Sequence, residues 1–216
     1  MAAFLPDGAI LSIATTYEAT PSAFTIISNA SPPVVTSTAH GYANGDILEV
    51  RSGWNRINED LYRIVGVTAD TFNLEGVDAT STVNFPAGAG LGTTRRITAF
   101  TQISQILEFS TTGGEQQFAT FSFLEEDFER QLPSITSAQS VSMTIADDPS
   151  LAGYIALKAA SDARALRALR LVLRNGSVLL YNGIFSLNET PTLTKGSVMA
   201  VTASFSLQGR PTRYAA

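Results

Sequence analysis

Leu169-Arg-Leu-Val-Leu-Arg-Asn-Gly-Ser-Val-Leu-Leu-Tyr181 decides how this chain is read. Leu169, Leu171 and Leu173 mark a strand, Asn175-Gly176 is a strong two-residue hairpin signal, and Val178 to Tyr181 is the returning strand. Further on, a second strand pair and the Ser-rich finish Ala203-Ser-Phe-Ser-Leu-Gln-Gly-Arg-Pro-Thr-Arg-Tyr214 extend the same sheet. No reactive pattern interrupts it. The segment reads as sheet suited to being joined to other sheet.

Working back from the hairpin, the sequence predicts one helix. Asp148 is expected at its N-cap, Pro149 in its first turn, and Leu151, Tyr154 and Ile155 on an apolar stripe that runs to about Ala163. Arg164 and Arg167 then suit the helix C-terminus. Strands are expected at Arg96 to Phe109 and Gln117 to Leu124, joined by Thr111-Thr-Gly-Gly114, and at Ile135 to Ile145. In the last of these Val141, Met143 and Ile145 alternate with Ser140, Ser142 and Thr144, so one face is apolar and the other carries small hydroxyls. Long strands around one helix make a β-dominated α+β domain over residues 93–216.

Two regions precede it. Residues 1–27 read as an N-terminal arm and a strand, broken at Pro21. Residues 28–92 open at Ser31-Pro32-Pro33, close in the Gly88, Gly90, Gly92 run, and hold short alternating strands separated by turns such as Asn44-Gly45. This is expected to be a small all-β module. It holds much of the negative charge: Asp46, Glu49, Glu59, Asp60, Asp70, Glu75 and Asp78 outnumber Arg51, Arg56 and Arg63.

The chain has 216 residues, 44% of them hydrophobic, enough for one good core or two small ones. Charged residues are only 15%, against about 25% in average soluble proteins. Surfaces of that kind protect sheet edges poorly and suit an assembling subunit. The net charge of −5 argues against holding nucleic acid by its phosphates, though not against DNA passing nearby. Cysteine is absent, which excludes disulfides and thiolate metal sites. Neither a signal peptide nor a membrane span is expected.

Chemistry-bearing residues are sparse. His40, the single histidine, lies just ahead of Asn44-Gly45 with no nucleophile elbow to support it, and reads as a turn or strand-end residue. Asp147-Asp148 is explained by helix capping rather than a cation. The glycine run lacks the Lys-Ser/Thr of a phosphate loop and reads as a linker. No catalytic residue, cofactor or metal site is assigned. The acidic run Glu125, Glu126, Asp127 and Glu129 and the bases Arg164, Arg167, Arg170 and Arg174 are read either as solvated charge or as groups that meet between subunits. Arg210 and Arg213, in the exit Gly209 to Arg213, are further contact candidates.

The order of Leu5-Pro-Asp-Gly8, His40-Gly-Tyr-Ala-Asn-Gly-Asp46, Ser52-Gly-Trp54, Thr71-Phe-Asn-Leu-Glu-Gly76, Asp147-Asp-Pro149, Arg174-Asn-Gly176 and the Phe205 to Tyr214 ending resembles major tail tube proteins of long, flexible-tailed (siphophage-type) bacteriophages. The module at 28–92 resembles a small β-domain that recurs as an insertion in phage proteins. The resemblance implies two packed antiparallel β-sheets with one flanking helix, hexameric rings, and stacking into a hollow tube whose inner wall is a continuous β-barrel. DNA would leave through that lumen. It also implies tape-measure, tail-terminator and tail-tip proteins as partners, synthesis in the host cytoplasm, and residence in the virion tail, with no membrane.

On that reading the hydroxyl-bearing strand faces suit a conduit, because a wall of bases would retain phosphate. Thr136, Ser140, Ser142 and Thr144, with Ser204 and Ser206, are the lumen candidates, and Glu108 or Glu189 would add mild repulsion. The N-terminal arm, Thr111 to Glu115 and Gly209 to Ala216 are expected to order only on stacking. Trp54 is expected in a core. A cell-surface or carbohydrate-binding β-protein remains the alternative, for which exposed rings near Trp54, Tyr42 and Tyr62 would be the mark. An enzyme would be left with carboxylate chemistry alone.

Overall fold

The hairpin forms at Asn175-Gly176, but through a three-residue loop, Arg174-Asn175-Gly176, rather than a two-residue turn: the Gly176 amide donates to the Leu173 carbonyl at 2.9 Å and only the glycine is left-handed. Gly176 takes φ +81°, the left-handed region that glycine enters without a Cβ clash. The Leu173 amide donates to the Ser177 carbonyl at 2.9 Å, which closes the hairpin. The computed structural model describes residues 7–216; most of the N-terminal arm, including Leu5 and Pro6, lies outside the described residues.

The strands are β1 (Ile10–Tyr17), β2 (Ser22–Phe24), β3 (Ile26–Ile27), β4 (Val34–Thr36), β5 (Ile47–Ser52), β6 (Asp60–Val65), β7 (Thr71–Leu74) and β8 (Gly92–Ile103). After these come β9 (Ile106–Thr112), β10 (Gln116–Phe121), β11 (Arg130–Thr136) and β12 (Ser140–Ala146). Helix α1 (Ala152–Ala163) precedes β13 (Arg167–Val172), β14 (Val178–Thr192), β15 (Ala200–Leu207) and β16 (Thr212–Tyr214). One curled sheet runs in the order β3-β4-β7-β6-β5-β8-β1-β13-β14-β15-β12-β9, with β16 on β14 and β2 on β8. Strands β10 and β11 pair only with each other.

The curl brings two stretches of the sheet face to face. Leu11 and Ile13 of β1, Ile103 of β8, Leu169 of β13 and Tyr181 of β14 pack in one cluster with Val141, Met143, Phe185, Val201 and Phe205 from the β12-β15-β14 side. The Phe185 and Phe205 rings lie 4.3 Å apart. Helix α1 adds Tyr154, Leu157 and Ala160 to this core, one apolar stripe at helical spacing. A second cluster surrounds Trp54, Phe72, Leu48 and Ile64. A third, with Leu61, Tyr214, Leu180, Ala168 and Ala14, joins the two.

Several expectations need correction. The strand expected from Arg96 to Phe109 is two, β8 and β9, because Gln105 turns at φ +58°. The strand expected from Ile135 to Ile145 is also two. Ser137 bonds back to Glu115 through its amide (2.9 Å) and its side-chain oxygen (3.0 Å), which closes the root of the β10–β11 hairpin between them. The helix starts later than Asp148: Leu151 is its N-cap residue, with no side-chain cap. Asp148 instead accepts from the Ser150 amide and hydroxyl, at 3.1 and 2.6 Å, and these bonds hold its carboxyl below the usual range. Ile155, expected on the stripe, is 56% exposed, and Leu157 takes its place.

The glycine run is also more than a linker. A Cβ on Gly90 would lie 3.0 Å from the Trp54 ring, and one on Gly92 only 1.8 Å from the Arg51 carbonyl oxygen. The run is a strap laid over Trp54, whose Nε1 donates to the Pro86 carbonyl at 2.7 Å.

Candidate assembly surfaces

Strands β9, β12, β15 and β14 present one face to the core and the other away from it. Their register aligns three rows on the outer face. The first is Thr112, Ser140, Ser206 and Ile184; the second is Ser110, Ser142, Ser204 and Ser186; the third is Glu108, Thr144, Thr202 and Asn188. The intervening positions Val141, Met143, Ile145, Phe205, Ala203 and Phe185 are buried. Period-two alternation in four adjacent strands therefore yields a face of small hydroxyls, with Glu108 as its single charged group and no Lys or Arg. The Thr112 and Ser140 hydroxyls are 2.9 Å apart across the strands.

Of the lumen candidates, Ser140, Ser142, Thr144, Ser204 and Ser206 share this face. Thr136 does not: it lies on β11, opposite Gln116 in the separate hairpin. Glu189 is drawn to the helix, where Lys158 donates to it at 2.5 Å.

The hairpin formed by β10, β11 and their connection leaves the end of the wall at Thr112 and Ser140. Phe118 (56% exposed), Phe123, Leu124, Phe128, Leu132 and Ile135 all lie open. Among the described residues none of them belongs to a core cluster. Apolar exposure on this scale marks an association surface. Sequence reasoning read these strands as ordinary sheet. The available signal was that the acidic run and two glycines flank strands without a regular apolar face, and that Pro133 sits inside the second of them.

The acidic candidates occupy the hairpin connection. Glu126 pairs with Arg130, while Glu125, Asp127 and Glu129 are exposed. The arginines do not gather into one patch. Residues 164, 167 and 170 would align on a helix, but β13 turns Arg167 and Arg170 to opposite faces. Arg164 is the helix C-cap at φ +48°. Arg167 lies over the Tyr17 ring at 5.6 Å and Arg170 over Phe100 at 4.1 Å. Arg174 and Arg213 are exposed. Arg210 reaches the Thr136 hydroxyl at 3.5 Å.

The C-terminal segment differs most from expectation. Thr212–Tyr214 is strand β16 on β14, and Tyr214 is 4% exposed. The Tyr214 hydroxyl accepts from the Arg63 amide at 2.9 Å, Arg63 lies 4.6 Å over its ring, and Thr212 donates to the Leu61 carbonyl at 2.8 Å. Burial pushes the Tyr214 phenol above its ordinary value, so this oxygen stays protonated.

The positions raised for other functions are enclosed. Trp54, Tyr42 and Tyr62 are buried, so they form no open aromatic platform. His40 is buried too, its Nδ1 accepting from the Tyr42 amide at 3.0 Å in a turn against Phe72. No group of His, Asp and Glu among the described residues could hold a metal ion.

The described face and hairpin define a structural β-protein built to associate with other sheet. The family model for the phage tail tube protein matches residues 52–216. The chain belongs to that family: it is a structural component of the phage tail that self-associates into a tube in the virion. Comparison with curated proteins gave no match. The family match begins at Ser52, within the segment 28–92 expected to be an insertion.

Proposed function

We propose that copies of this chain close into hexameric rings, and that the rings stack into a hollow tube through which phage DNA passes into the host. The observation that carries this reading is the face of three hydroxyl rows without a base. As the lumen wall it would offer phosphates nothing to exchange for their counterions, so DNA slides rather than binds. Pairing of β9, an edge strand, with the sheet of a neighbouring copy would close the barrel and remove that edge. One rotation that closes gives a ring, and a second contact that does not close gives a filament.

On this reading residues 93–216, with the strand before residue 28, form the tube wall. The module at 28–92 projects outward, since the lumen must stay open. The exposed hairpin supplies the contact between rings, and Glu125, Asp127, Glu129, Arg164, Arg174 and Arg213 fix orientation at subunit contacts. Tape-measure, tail-terminator and tail-tip proteins are the expected partners.

Negative-stain microscopy of the concentrated protein tests the reading. Long hollow tubes are expected, and a persistently monodisperse monomer would refute it. The lumen assignment has its own test. Ser142→Arg places a base in the middle row; tubes should assemble normally, while DNA ejection from particles carrying the variant slows severalfold and regains speed as salt rises. Ejection kinetics equal to wild type would remove Ser142 from the lumen.

A further inference from the structure

The four wall strands carry exposed apolar groups beyond both of their ends, and the two sets differ in charge. At one rim Thr112, Ser140, Ser206 and Ile184 form the last row, and the β10–β11 hairpin departs from it. At the other rim Ala200 of β15 pairs with Ala146 of β12 and Thr192 of β14. The loop from Leu193 to Met199 joins β14 to β15 there, so the seven residues of β12 set it about 20 Å from the hairpin root. Its form is fixed at tip and base: the Ser197 amide donates to the Thr194 carbonyl at 3.1 Å, and the Asp147 amide to the Met199 carbonyl at 2.9 Å. Leu193, Val198 and Met199 nevertheless lie open, and among the described residues none of them belongs to a core cluster. Lys195 lies exposed between them and enters no ion pair among the described residues.

Given the stacked rings proposed above, on which this inference rests, we propose that the Leu193–Met199 loop is the seat for the hairpin tip of a second copy in the adjoining ring. Leu193, Val198 and Met199 receive Phe123, Leu124 and Phe128, while Lys195 meets the exposed acids Glu125, Asp127 and Glu129. A contact that does not close sets one end of a subunit against the opposite end of the next, and tip and loop extend from opposite rims. Each leaves apolar area open that the other takes out of water. Their charges are complementary as well, since no acid lies between Leu193 and Met199. Two hairpin tips brought together would instead oppose like charges, which selects against that pairing.

Carbodiimide coupling of amines to carboxylates reads this contact in the wild-type chain, whose only lysines are Lys158 and Lys195. Lys158 already donates to Glu189 at 2.5 Å, so it should couple in monomer and tube alike and serves as the internal standard. Lys195 should couple to Glu125, Asp127 or Glu129 in tubes only. In tubes grown from mixed light and heavy-isotope chains, those linked peptides should join different copies. Lys195→Glu, changed only at an exposed side chain, should leave thermal unfolding of the monomer as it is and raise the concentration needed for tube formation severalfold. Tubes in which Lys158 couples but Lys195 never joins the hairpin acids overturn the inference alone, as does assembly of Lys195→Glu at the wild-type concentration. A chain that forms no tubes overturns the stacked-ring reading, and the seat with it.

Discussion

Replacing residues 116–136 with a short Gly-Ser linker is expected to abolish tube formation while leaving the monomer folded. Among the described residues, no side chain from this hairpin enters any of the three core clusters. A two-stranded hairpin alone is marginal in water, so its removal should change unfolding free energy by no more than about 1 kcal/mol. Its exposed apolar side chains instead offer area to a partner. Each large one covered on association is worth about 1.5–3 kcal/mol before the cost of ordering. Phe118, Phe123, Leu124, Phe128, Leu132 and Ile135 together can therefore decide whether rings stack. Thermal unfolding and electron microscopy of the same preparation separate the two effects. Tubes of ordinary length from the shortened chain would show that the hairpin is not the stacking contact, and a large loss of thermal stability would show that it belongs to the fold.

The wall was legible in the sequence because its signal is local. Val141, Met143 and Ile145 alternate with Ser140, Ser142 and Thr144, and period two in a strand sends alternate side chains to opposite faces. Asn175-Gly176 was legible for the same reason, since one left-handed residue makes the turn. What was hidden depends on residues far apart in the chain. Arg164, Arg167, Arg170 and Arg174 looked clustered because they follow one another closely after the expected helix end, but β13 begins at Arg167 and sends Arg167 and Arg170 to opposite faces. The glycine run looked like a linker because a glycine strap over a tryptophan has no local mark; only the position of Trp54 reveals it. Thr136 seemed to continue the hydroxyl row of Ser140 because nothing between them announces a break, which comes from pairing Ser137 with Glu115.

Tyr214→Ala is expected to destabilise the isolated monomer by about 3–4 kcal/mol, in the range for removing a buried aromatic ring. The C-terminal segment looked like a free tail because it is short, polar and follows Gly209 and Pro211. Its strand, however, bonds to β14 on one side. On the other, Tyr214 meets Arg63 and Leu61, so it joins the wall to the segment around Trp54. Losing the ring opens this third cluster and leaves the Arg63 amide without its acceptor. Tyr214→Phe keeps the ring and should cost only about 1–2 kcal/mol for the unpaired amide. Trp54 is the one tryptophan in the chain, so its fluorescence reports the second core alone, whereas far-UV circular dichroism reports the whole sheet. In wild type the two signals should unfold together in urea. In Tyr214→Ala they should separate, because the cluster that couples the two cores has been emptied. Coincident curves at the wild-type midpoint would mean that the C-terminal strand does not hold the two cores together, and would return it to the role of a tail awaiting a neighbour.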